Sequence, residues 1–414
     1  VTMDDILIIG AGQAGMQLAV SLRDLGFTGP ITLSGSEASG PYQRPPLSKA
    51  YLSGEADVET LELRAPSFYD DKHITLRCDD AVVAVEFTGE RGVATTASGA
   101  RIEFAHLALT PGSEPRRLQI EGGDLDGVLY LRDLSDADEL KGRWDAAANV
   151  VVIGGGFIGL EVAAAARKAG KTVTVLEAAD RLIARAGSPI TIEIYRQAHR
   201  RRGTDVRLDA RIARLVGETA VAGVELEDGE LIPSDLVLIG IGVVPRSGLA
   251  EQLGLELSGG AIVVDEFART SDPRVVAAGD AVLLPHPLGG EGRVRLESVQ
   301  NAVDQAKVAA ATLIGKLEPY RAVPWFWSDQ ADLKLQIAGL STGFDEAVLR
   351  GNPDDEHFSV LYYRDGHLIA IDSVNDAPDY MTVRRALGQN ATIPADLAAD
   401  TSTPLKSLVV PSPA

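Results

Sequence analysis

Two short apolar runs in this chain are each followed by a glycine-rich turn and a stretch of small residues. The first run covers residues 6–9 and precedes the turn at 10–15, and the second covers residues 151–153 and precedes the turn at 154–159. A short apolar run bounded by turn residues predicts a buried strand, and the small residues that follow predict a helix. Both turns have the G-x-G-x-x-G spacing, in which a helix N-terminus can bind a pyrophosphate. The pattern therefore predicts two dinucleotide-binding sites.

An acidic residue follows the next predicted strand in both units. Glu37 comes after the strand at residues 31–34, and Glu177 comes after the strand at residues 172–176. An acid about 20 residues beyond the glycine turn is expected to bind the ribose hydroxyls of a dinucleotide. Such a carboxylate repels the 2′-phosphate of NADP, which favours NADH at the second site, although Arg181 leaves phosphate binding open. For Glu37, a solvated loop glutamate is the alternative.

The remaining pattern divides the chain into three predicted domains of α/β type. Strands in residues 74–109 and 207–241 each end at an exit that contains glycine and proline, which indicates a crossover between domains. A later strand and a long helix from about residue 298 indicate a return to the first domain. We predict two Rossmann-type dinucleotide-binding domains and an α+β C-terminal domain. Their boundaries are residues 1–112 with 246–322 for the first domain, 113–245 for the second, and 323–414 for the third.

Composition indicates that the chemistry resides on bound cofactors. The 414 residues are 45% hydrophobic with a mean hydropathy of +0.05, and no apolar run approaches the roughly 20 residues of a membrane span. Because no basic and apolar leader precedes the first strand, we expect a cytoplasmic protein. The formal charge of −20 argues against binding to nucleic acids and anionic membranes. One cysteine, Cys78, and six scattered histidines provide neither a redox dithiol nor metal-ligand spacing.

Two further segments carry candidate binding residues. The proline-containing loop at residues 40–49 presents Arg44 and Lys49, whose positive charges face a pyrophosphate, a flavin ring or solvent. In the same loop, Ser48 is predicted to cap a helix that begins near Lys49. Asp280 follows an apolar strand, so it is either a ligand-binding residue at the carboxyl edge of the sheet or a turn or helix-capping aspartate.

Together these segments resemble the FAD-dependent, NADH-oxidising ferredoxin reductases of bacterial oxygenase systems. The resemblance covers nearly the entire chain. Its most specific parts are Pro45-Pro46-Leu47-Ser48-Lys49, Gly279-Asp280, Glu297-Ser298-Val299 and Trp325-Phe326-Trp327-Ser328-Asp329-Gln330. The resemblance implies a glutathione-reductase-like fold, in which the first dinucleotide domain binds FAD and the second binds NADH.

The resemblance also implies which residues form the two cofactor sites. FAD would contact Gly10, Gly12, Ala14, Gly15, Ser36, Glu37, Arg44, Lys49, Val82, Arg132, Asp280, Val299 and Trp327. NADH would contact Gly154, Gly156, Ile158, Gly159, Glu177 and Gly242. Lys49, Glu161 and Trp327 are the predicted catalytic residues. Lys49 would lie at the reacting edge of the flavin and pair with Glu161 near the nicotinamide, although a plain ion pair is an equal reading. Trp327 would lie beside the ring, on the side where an iron–sulfur partner docks.

The implied reaction is hydride transfer from NADH to FAD, followed by electron transfer to a 2Fe-2S ferredoxin that supplies a haem monooxygenase or a Rieske dioxygenase. Ferredoxins are generally acidic, so docking would require a local basic patch, for which the candidates are Arg293, Arg295, Lys307 and Lys334. The alternatives are a rubredoxin reductase, an NADH oxidase or peroxidase, and a non-catalytic flavin-binding protein whose interactions respond to reduction. A peroxidase of this fold needs a cysteine beside the flavin, and Cys78 lies outside the loop that contains Lys49.

Overall fold

The computed structural model describes residues 5–183 and 188–412 of the chain. These residues pack into two compact units, each assembled from three segments. The first unit contains the residues up to Gln43, then Val58–Glu114 and Val244–Pro324. The second unit contains Arg44–Asp57, Pro115–Val243 and the residues from Trp325 onward.

The helices have the following bounds in chain order. They are α1 (Gln13–Asp24), α2 (Val58–Leu61), α3 (Pro66–Asp71), α4 (Leu134–Trp144), α5 (Phe157–Lys168), α6 (Pro189–Arg201), α7 (Gly248–Gln252), α8 (Val299–Leu313), α9 (Ala377–Gly388) and α10 (Ala395–Ala398). Short 3-10 turns occur at Pro45–Ser48, Pro353–Asp355 and Leu405–Ser407.

The strands up to the middle of the chain are β1 (Ile6–Ile9), β2 (Ile31–Ser34), β3 (Ile74–Arg77), β4 (Val82–Thr88), β5 (Arg91–Thr96), β6 (Arg101–Phe104), β7 (His106–Leu109), β8 (Ser113–Pro115), β9 (Val128–Leu129), β10 (Asn149–Ile153), β11 (Thr172–Leu176), β12 (Asp205–Arg207), β13 (Ile212–Gly217), β14 (Val221–Leu226) and β15 (Leu231–Pro233). The later strands are β16 (Leu236–Ile239), β17 (Val243–Pro245), β18 (Leu257–Ser258), β19 (Ala261–Val263), β20 (Val275–Ala277), β21 (Val282–Pro285), β22 (Arg293–Val294), β23 (Trp325–Gln330), β24 (Leu333–Gly339), β25 (Glu346–Asn352), β26 (His357–Arg364), β27 (His367–Val374), β28 (Ala391–Thr392) and β29 (Val410–Pro411).

A five-stranded parallel sheet, with strand order β20-β7-β1-β2-β3, forms the centre of the first unit. All four residues of β1 are buried, as expected for a parallel strand that is covered on both faces. Ile6 and Ile8 share a hydrophobic core with α1 and α8, whereas Leu7 and Ile9 belong to a second core on the other side. Because the strands are parallel, the residues that follow β1, β2 and β20 lie along one edge of the sheet.

The second unit contains a parallel sheet of the same design, with strand order β12-β11-β10-β16-β9. Its central strand β10 pairs in register with β11 and β16, so that Ile153 lies opposite Leu176 and Ile239. The carboxyl ends of these three strands therefore bring together the second glycine turn, Glu177 and the residues after Ile239.

Antiparallel sheets complete each unit. The sheet β4-β5-β6 belongs to the first unit and the sheet β13-β14-β15 to the second. The last part of the chain forms a third sheet in the second unit, ordered β23-β24-β27-β26-β25. One face of this sheet shares a core with Tyr380 and Val383 of α9, and the other face shares a core with Tyr195 and Ala198 of α6. The sheet that contains Trp327 is thus packed directly on a helix of the NADH-binding domain predicted from the sequence.

The structure confirms the predicted strand, turn and helix at both glycine motifs and the long helix after Ser298, which caps α8 by accepting a hydrogen bond from the Asn301 amide. The prediction that Ser48 caps a helix is wrong. Pro45 and Pro46 begin a 3-10 turn in which Ser48 is the last residue, and its hydroxyl points to Glu161 instead.

Residues 44–57, assigned from the sequence to the first domain, pack in the second unit. The three-domain division stays a prediction. Among the described residues, no helix is both long and apolar enough to cross a bilayer.

Candidate functional site

The first and last positions of the first glycine turn, Gly10 and Gly15, have no room for a side chain. Gly10 has a φ of 111°, and a Cβ placed there would lie 2.0 Å from the carbonyl oxygen of Thr110. A Cβ on Gly15 would lie 1.9 Å from the carbonyl oxygen of Gly10. These contacts allow α1 to begin directly against the end of β1, so the two glycines are explained by packing alone.

The middle glycine of this turn, Gly12, is not required by packing. A Cβ on Gly12 would meet no atom of the described chain within 4 Å, so packing does not require glycine there. Gly12 is the N-cap of α1 and, having no side chain, leaves the first amides of that helix uncapped by the N-cap residue. The turn therefore offers open space and backbone donors at the same point, as a pyrophosphate requires.

The second glycine turn repeats this geometry. Gly154 has a φ of 107°, and a Cβ on it would lie 2.3 Å from the carbonyl oxygen of Gly240. A Cβ on Gly159 would lie 2.4 Å from the carbonyl oxygen of Gly154. At Gly156, the N-cap of α5, the nearest atom to a Cβ is 3.9 Å away, so the middle position is again open. Both turns fit the phosphates of a dinucleotide.

Glu177 is held beside the second turn by two backbone amides. Its Oε2 atom accepts from Gly155 N at 2.7 Å, and its Oε1 atom accepts from Ala179 N at 2.8 Å. Each carboxylate oxygen retains a lone pair that can accept from a ribose hydroxyl. Two other predicted NADH contacts lie at the same edge. Ile158 is 40% exposed on the first turn of α5, and Gly242 follows β16 with a φ of 97°.

Several of the predicted FAD residues of the first unit lie at the carboxyl edge of its parallel sheet. Glu37 follows β2 and accepts a hydrogen bond from the Tyr42 hydroxyl at 2.5 Å, while Ser36 is exposed. Asp280 follows β20 and accepts from the Ser113 hydroxyl at 3.1 Å. It caps none of the helices above, but it lies in a turn closed by the Val282 amide, which donates to the Gly279 carbonyl oxygen at 3.1 Å, so a turn aspartate remains the alternative to a ligand-binding residue. Val299 begins α8, and Val82, Ala14 and the glycine turn belong to the same unit.

The remaining predicted FAD residues, Arg44, Lys49, Arg132 and Trp327, belong to the second unit. Arg44 donates from Nη1 to the carbonyl oxygen of Arg132 at 2.9 Å, so these two residues are brought together. Trp327 lies in β23 and stacks loosely on Trp325, with 5.6 Å between ring centroids.

Lys49 and Glu161 form the predicted ion pair. The Lys49 Nζ atom lies 2.6 Å from Glu161 Oε2 and also donates to the Pro45 carbonyl oxygen at 3.2 Å. The Glu161 carboxylate is only 4% exposed, whereas the Lys49 side chain is 20% exposed. The Lys49 ammonium is therefore the accessible member of the pair, and the Glu161 carboxylate is buried.

Sequence reasoning missed the other partners of this carboxylate. The Ser48 hydroxyl donates to Glu161 Oε2 at 2.6 Å, and the Ser328 hydroxyl donates to Oε1 at 2.7 Å. Behind Ser328 lie Gln330 and His199, both buried. The alternation in β23 was the available signal, because Ser328 and Gln330 are polar residues two apart on one face of a strand that is otherwise aromatic on that side.

The four cations proposed as a docking patch are divided between the units, with Lys334 in the second. Arg295 forms an ion pair with Glu297, and Lys307 pairs with Asp304 at 2.9 Å. Arg293 donates to the carbonyl oxygen of Val264. Two of the four charges are thus balanced by acids, which weakens the case for a basic patch at these positions.

Two family models and several known proteins match most of this chain. Residues 4–306 match the family model described as pyridine nucleotide-disulphide oxidoreductase, and residues 325–409 match a model described as reductase C-terminal. Rhodocoxin reductase of Rhodococcus erythropolis is 46% identical over 402 residues, which cover 97% of this chain and 93% of that protein. A ferredoxin–NAD(P)+ reductase of Sphingomonas sp is 43% identical over 413 residues, which cover 99% of both proteins.

A solved structure extends the likeness to the fold. The crystal structure of the ferredoxin reductase for the CYP199A2 system from Rhodopseudomonas palustris superposes with a TM-score of 0.93 at 43% identity, covering 98% of this chain and 99% of that one. The predicted glutathione-reductase-like fold is therefore confirmed.

Proposed function

The chain is an oxidoreductase that belongs to the pyridine nucleotide-disulphide oxidoreductase family, and from this premise we propose that it passes electrons from NADH through FAD to a 2Fe-2S ferredoxin. The observation that carries the proposal is the presence of two glycine turns whose middle positions, Gly12 and Gly156, are open at a helix N-terminus. A chain with two such turns can hold two dinucleotides at once. The turn at Gly12 would hold FAD, whose flavin would supply the link between two-electron hydride transfer from NADH and one-electron release to the ferredoxin.

We assign Lys49 the task of stabilising negative charge on the reduced flavin. Two of the three N–H groups of its ammonium are engaged by Glu161 and Pro45, so the charge is fixed in direction before any ligand binds. A preorganised cation stabilises developing charge without the cost of reorienting at the moment of reaction. Trp327 lies in β23, the strand whose Ser328 hydroxyl donates to Glu161. We assign Trp327 to the path by which electrons pass from the flavin to the ferredoxin.

Glu177 supports NADH as the nucleotide in preference to NADPH. Its carboxylate is held by the amides of Gly155 and Ala179, so it cannot swing away from an incoming 2′-phosphate without breaking both hydrogen bonds. The same fixed oxygens suit the two hydroxyl donors of an unmodified ribose. We therefore expect NADH to reduce the flavin faster than NADPH does.

The surroundings of Cys78 argue against the peroxidase alternative. The residue directly follows β3, and burial, with smaller contributions from Asp79 and Glu37, raises the pKa of its thiol. A peroxidase depends on a reactive thiolate, and a raised pKa reduces the thiolate fraction at neutral pH. The reductase proposal includes a cytoplasmic location and a haem monooxygenase or Rieske dioxygenase as the final acceptor.

The proposal is tested by mixing the flavin-loaded protein anaerobically with NADH and, separately, with NADPH in a stopped-flow spectrometer. Rapid bleaching of the flavin by NADH, followed by reduction of cytochrome c that depends on an added 2Fe-2S ferredoxin, is the expected result. Rapid bleaching with electron transfer to rubredoxin or oxygen alone would instead favour a rubredoxin reductase or an oxidase. Slow bleaching with a persistent complex would favour a redox-responsive binding protein.

A further inference from the structure

A continuous series of hydrogen bonds runs through the second unit behind the Lys49–Glu161 pair. His199 Nε2 lies 2.7 Å from Gln330 Oε1, and Gln330 Nε2 donates to Ser328 Oγ at 3.2 Å. The Ser328 hydroxyl then donates to Glu161 Oε1 at 2.7 Å. Three separate elements contribute, since His199 belongs to α6, Ser328 and Gln330 belong to β23, and Glu161 belongs to α5.

The direction of every bond in this series follows from the carboxylate at its end, which pairs with the Lys49 ammonium. Glu161 is an acceptor only, so the Ser328 hydroxyl must donate to it and has only lone pairs left for Gln330. Gln330 must therefore turn its amide nitrogen toward Ser328 and its oxygen toward His199. Burial lowers the pKa of His199, which keeps the ring neutral at pH 7. Since Gln330 presents its oxygen to Nε2, the neutral ring carries its proton on Nε2. All donors point toward Glu161.

The spacing of α5 and β23 makes the fit between them specific. Phe157 and Glu161 are four positions apart on one face of α5, and Phe326 and Ser328 are two positions apart on one face of β23. Both spacings correspond to about 6 to 7 Å. The Phe157 and Phe326 rings lie 4.5 Å apart, one helical turn from the bond between Ser328 and Glu161. A ring contact and a charged hydrogen bond thus fix the same pair of elements.

The series is suited to holding a carboxylate in place and unsuited to carrying a proton. A glutamine amide does not exchange its protons through its carbonyl oxygen at neutral pH, so Gln330 interrupts any relay from His199 to Ser328. What Gln330 can do is fix the Ser328 hydroxyl in one orientation, with His199 fixing Gln330 in turn. Each member is buried, so losing one leaves a polar atom without a partner.

We propose that Ser328, Gln330 and His199 are positioning residues that hold the Glu161 carboxylate, and through it the Lys49 ammonium, in one orientation. The role in the reaction rests on the proposed function, in which Lys49 stabilises charge on the flavin. The orientation of Lys49 is set by contacts within the protein, so it can be tested without NADH, FAD or ferredoxin.

The first test measures the reactivity of the Lys49 amine toward acetylation in the apoprotein. Limited acetylation followed by peptide mass spectrometry gives the relative reactivity of each lysine. Ser328→Ala and Gln330→Leu are expected to raise the reactivity of Lys49 by several-fold, up to about tenfold, because a lost hydrogen bond to a charged group loosens its ion pair. The matched control is Ser359→Ala, which removes a buried hydroxyl of the same sheet that bonds to Ser373 at 2.9 Å. It is expected to leave Lys49 unchanged.

A conservative pair of variants at His199 keeps the test valid if a serine variant folds poorly. In His199→Gln the amide nitrogen can donate from near the position of Nε2, whereas His199→Leu cannot donate. The glutamine variant is expected to keep the Lys49 reactivity of the parent, and the leucine variant to raise it. Equal reactivity in both variants, or an equal rise in Ser359→Ala and Ser328→Ala, would overturn the proposal.

The second test is a double-mutant cycle on flavin reduction by NADH. Ser328→Ala is expected to slow the reduction several-fold when Glu161 is present and to have no effect in a Glu161→Ala background, because nothing remains for Ser328 to orient. Equal slowing in both backgrounds would contradict the positioning role. If NADH does not reduce the flavin at all, the proposed function fails while the acetylation result still decides the positioning role.

Discussion

Glu161 accepts hydrogen bonds from Lys49, Ser48 and Ser328 at a position nearly inaccessible to water. A buried anion is tolerated in a fold only when donors replace the hydration that it loses. Three donors do so here, two from the consecutive residues Ser48 and Lys49 and one from Ser328 in β23. Because Ser48 and Ser328 hold the Glu161 carboxylate in place, that carboxylate in turn holds the Lys49 ammonium in place.

At the residue scale, Lys49→Met should slow flavin reduction by NADH by about a hundredfold, the lower end of the range found for the loss of one charge-stabilising donor. The dissociation constant of NADH should change little, because Lys49 is assigned to charge on the flavin. Stopped-flow traces at increasing NADH concentration separate the two quantities. Lys168→Met is the control, since Lys168 is 70% exposed and pairs only at the surface with Glu55. Equal slowing in both variants would refute the assignment.

Asp372 gives a second prediction at this scale. Burial raises the pKa of this carboxyl to about 6, against smaller opposing effects of hydrogen bonds such as that from Tyr362. Its Oδ1 atom has no hydrogen-bond partner among the described residues. A folded-state pKa above the unfolded value means that the folded state binds the proton more tightly. Stability is therefore lost as the pH rises from about 4 to about 6.

Asp372→Asn should accordingly stabilise the fold above pH 6, by at most about 3 kcal/mol, and give no comparable gain below pH 4. Urea unfolding at both pH values measures the difference. The control is Asp365→Asn, an exposed aspartate in a left-handed turn conformation that asparagine also adopts. A gain at pH 8 that equals the gain at low pH would contradict the account of Asp372.

The sequence alone indicated Lys49 as a cation of the proline-containing loop, and only the resemblance paired it with Glu161. Neither identified Ser328, Gln330 or His199 as partners of that carboxylate. Ser328 is 167 positions from Glu161 and His199 is 131 positions from Gln330, and serine and glutamine in a strand carry no motif of their own. Their pairing depends on how α5, α6 and β23 pack, which no local pattern encodes.

At the scale of elements, the two glycine turns were predictable because their constraints are local. A strand, a turn of fixed spacing and a helix are specified by about a dozen consecutive residues. The loop with Pro45 and Pro46 was not predictable in the same way. A serine after two prolines suggests a helix cap, and only the position of Glu161 decides that the hydroxyl is used for a tertiary hydrogen bond.

The open middle glycines lead to a prediction that separates the two cofactor sites. Gly12→Ala should leave the stability of the apoprotein unchanged, since a Cβ there meets no protein atom, but should lower FAD affinity by at least about tenfold. Gly156→Ala should lower NADH affinity similarly while the protein still retains FAD. Gly142→Ala, in the solvent-facing part of α4, is the control and should affect neither cofactor.

Fluorescence titration of the apoprotein with FAD, and of the FAD-loaded protein with NADH, measures both affinities. If Gly12→Ala bound FAD as tightly as the parent protein, the phosphates could not lie against that glycine. If Gly12→Ala unfolded the apoprotein, the glycine would be required by packing, contrary to the open space around it.

At the scale of the whole molecule, membership in the family confirms FAD and a nicotinamide dinucleotide as the cofactors expected from the sequence. Composition had already placed the redox chemistry on organic cofactors, because one cysteine and scattered histidines hold no cluster. The way in which the partner docks was less accessible to sequence reasoning. A list of basic residues does not show that Arg295 and Lys307 are already paired with acids.

The net charge of −20 predicts how docking depends on salt. Two acidic proteins repel each other at long range, and salt screens that repulsion over a Debye length of about 10 Å at 0.1 M. With NADH saturating, the kcat/KM for an acidic 2Fe-2S ferredoxin should therefore rise as salt increases from about 10 to about 100 mM. Flavin reduction by NADH alone should change less. A fall in kcat/KM over this range would show that a local basic patch dominates docking.

The most direct test of the central claim is a stoichiometric titration under anaerobic conditions. A limiting amount of NADH is added to the FAD-loaded protein with excess oxidised 2Fe-2S ferredoxin, and both the flavin and the iron–sulfur absorbance are followed. If the chain transfers electrons from NADH through FAD to a ferredoxin, each NADH reduces two ferredoxin molecules and the flavin returns to its oxidised colour. A flavin that stays reduced while each of several 2Fe-2S ferredoxins stays oxidised would refute the proposed electron transfer.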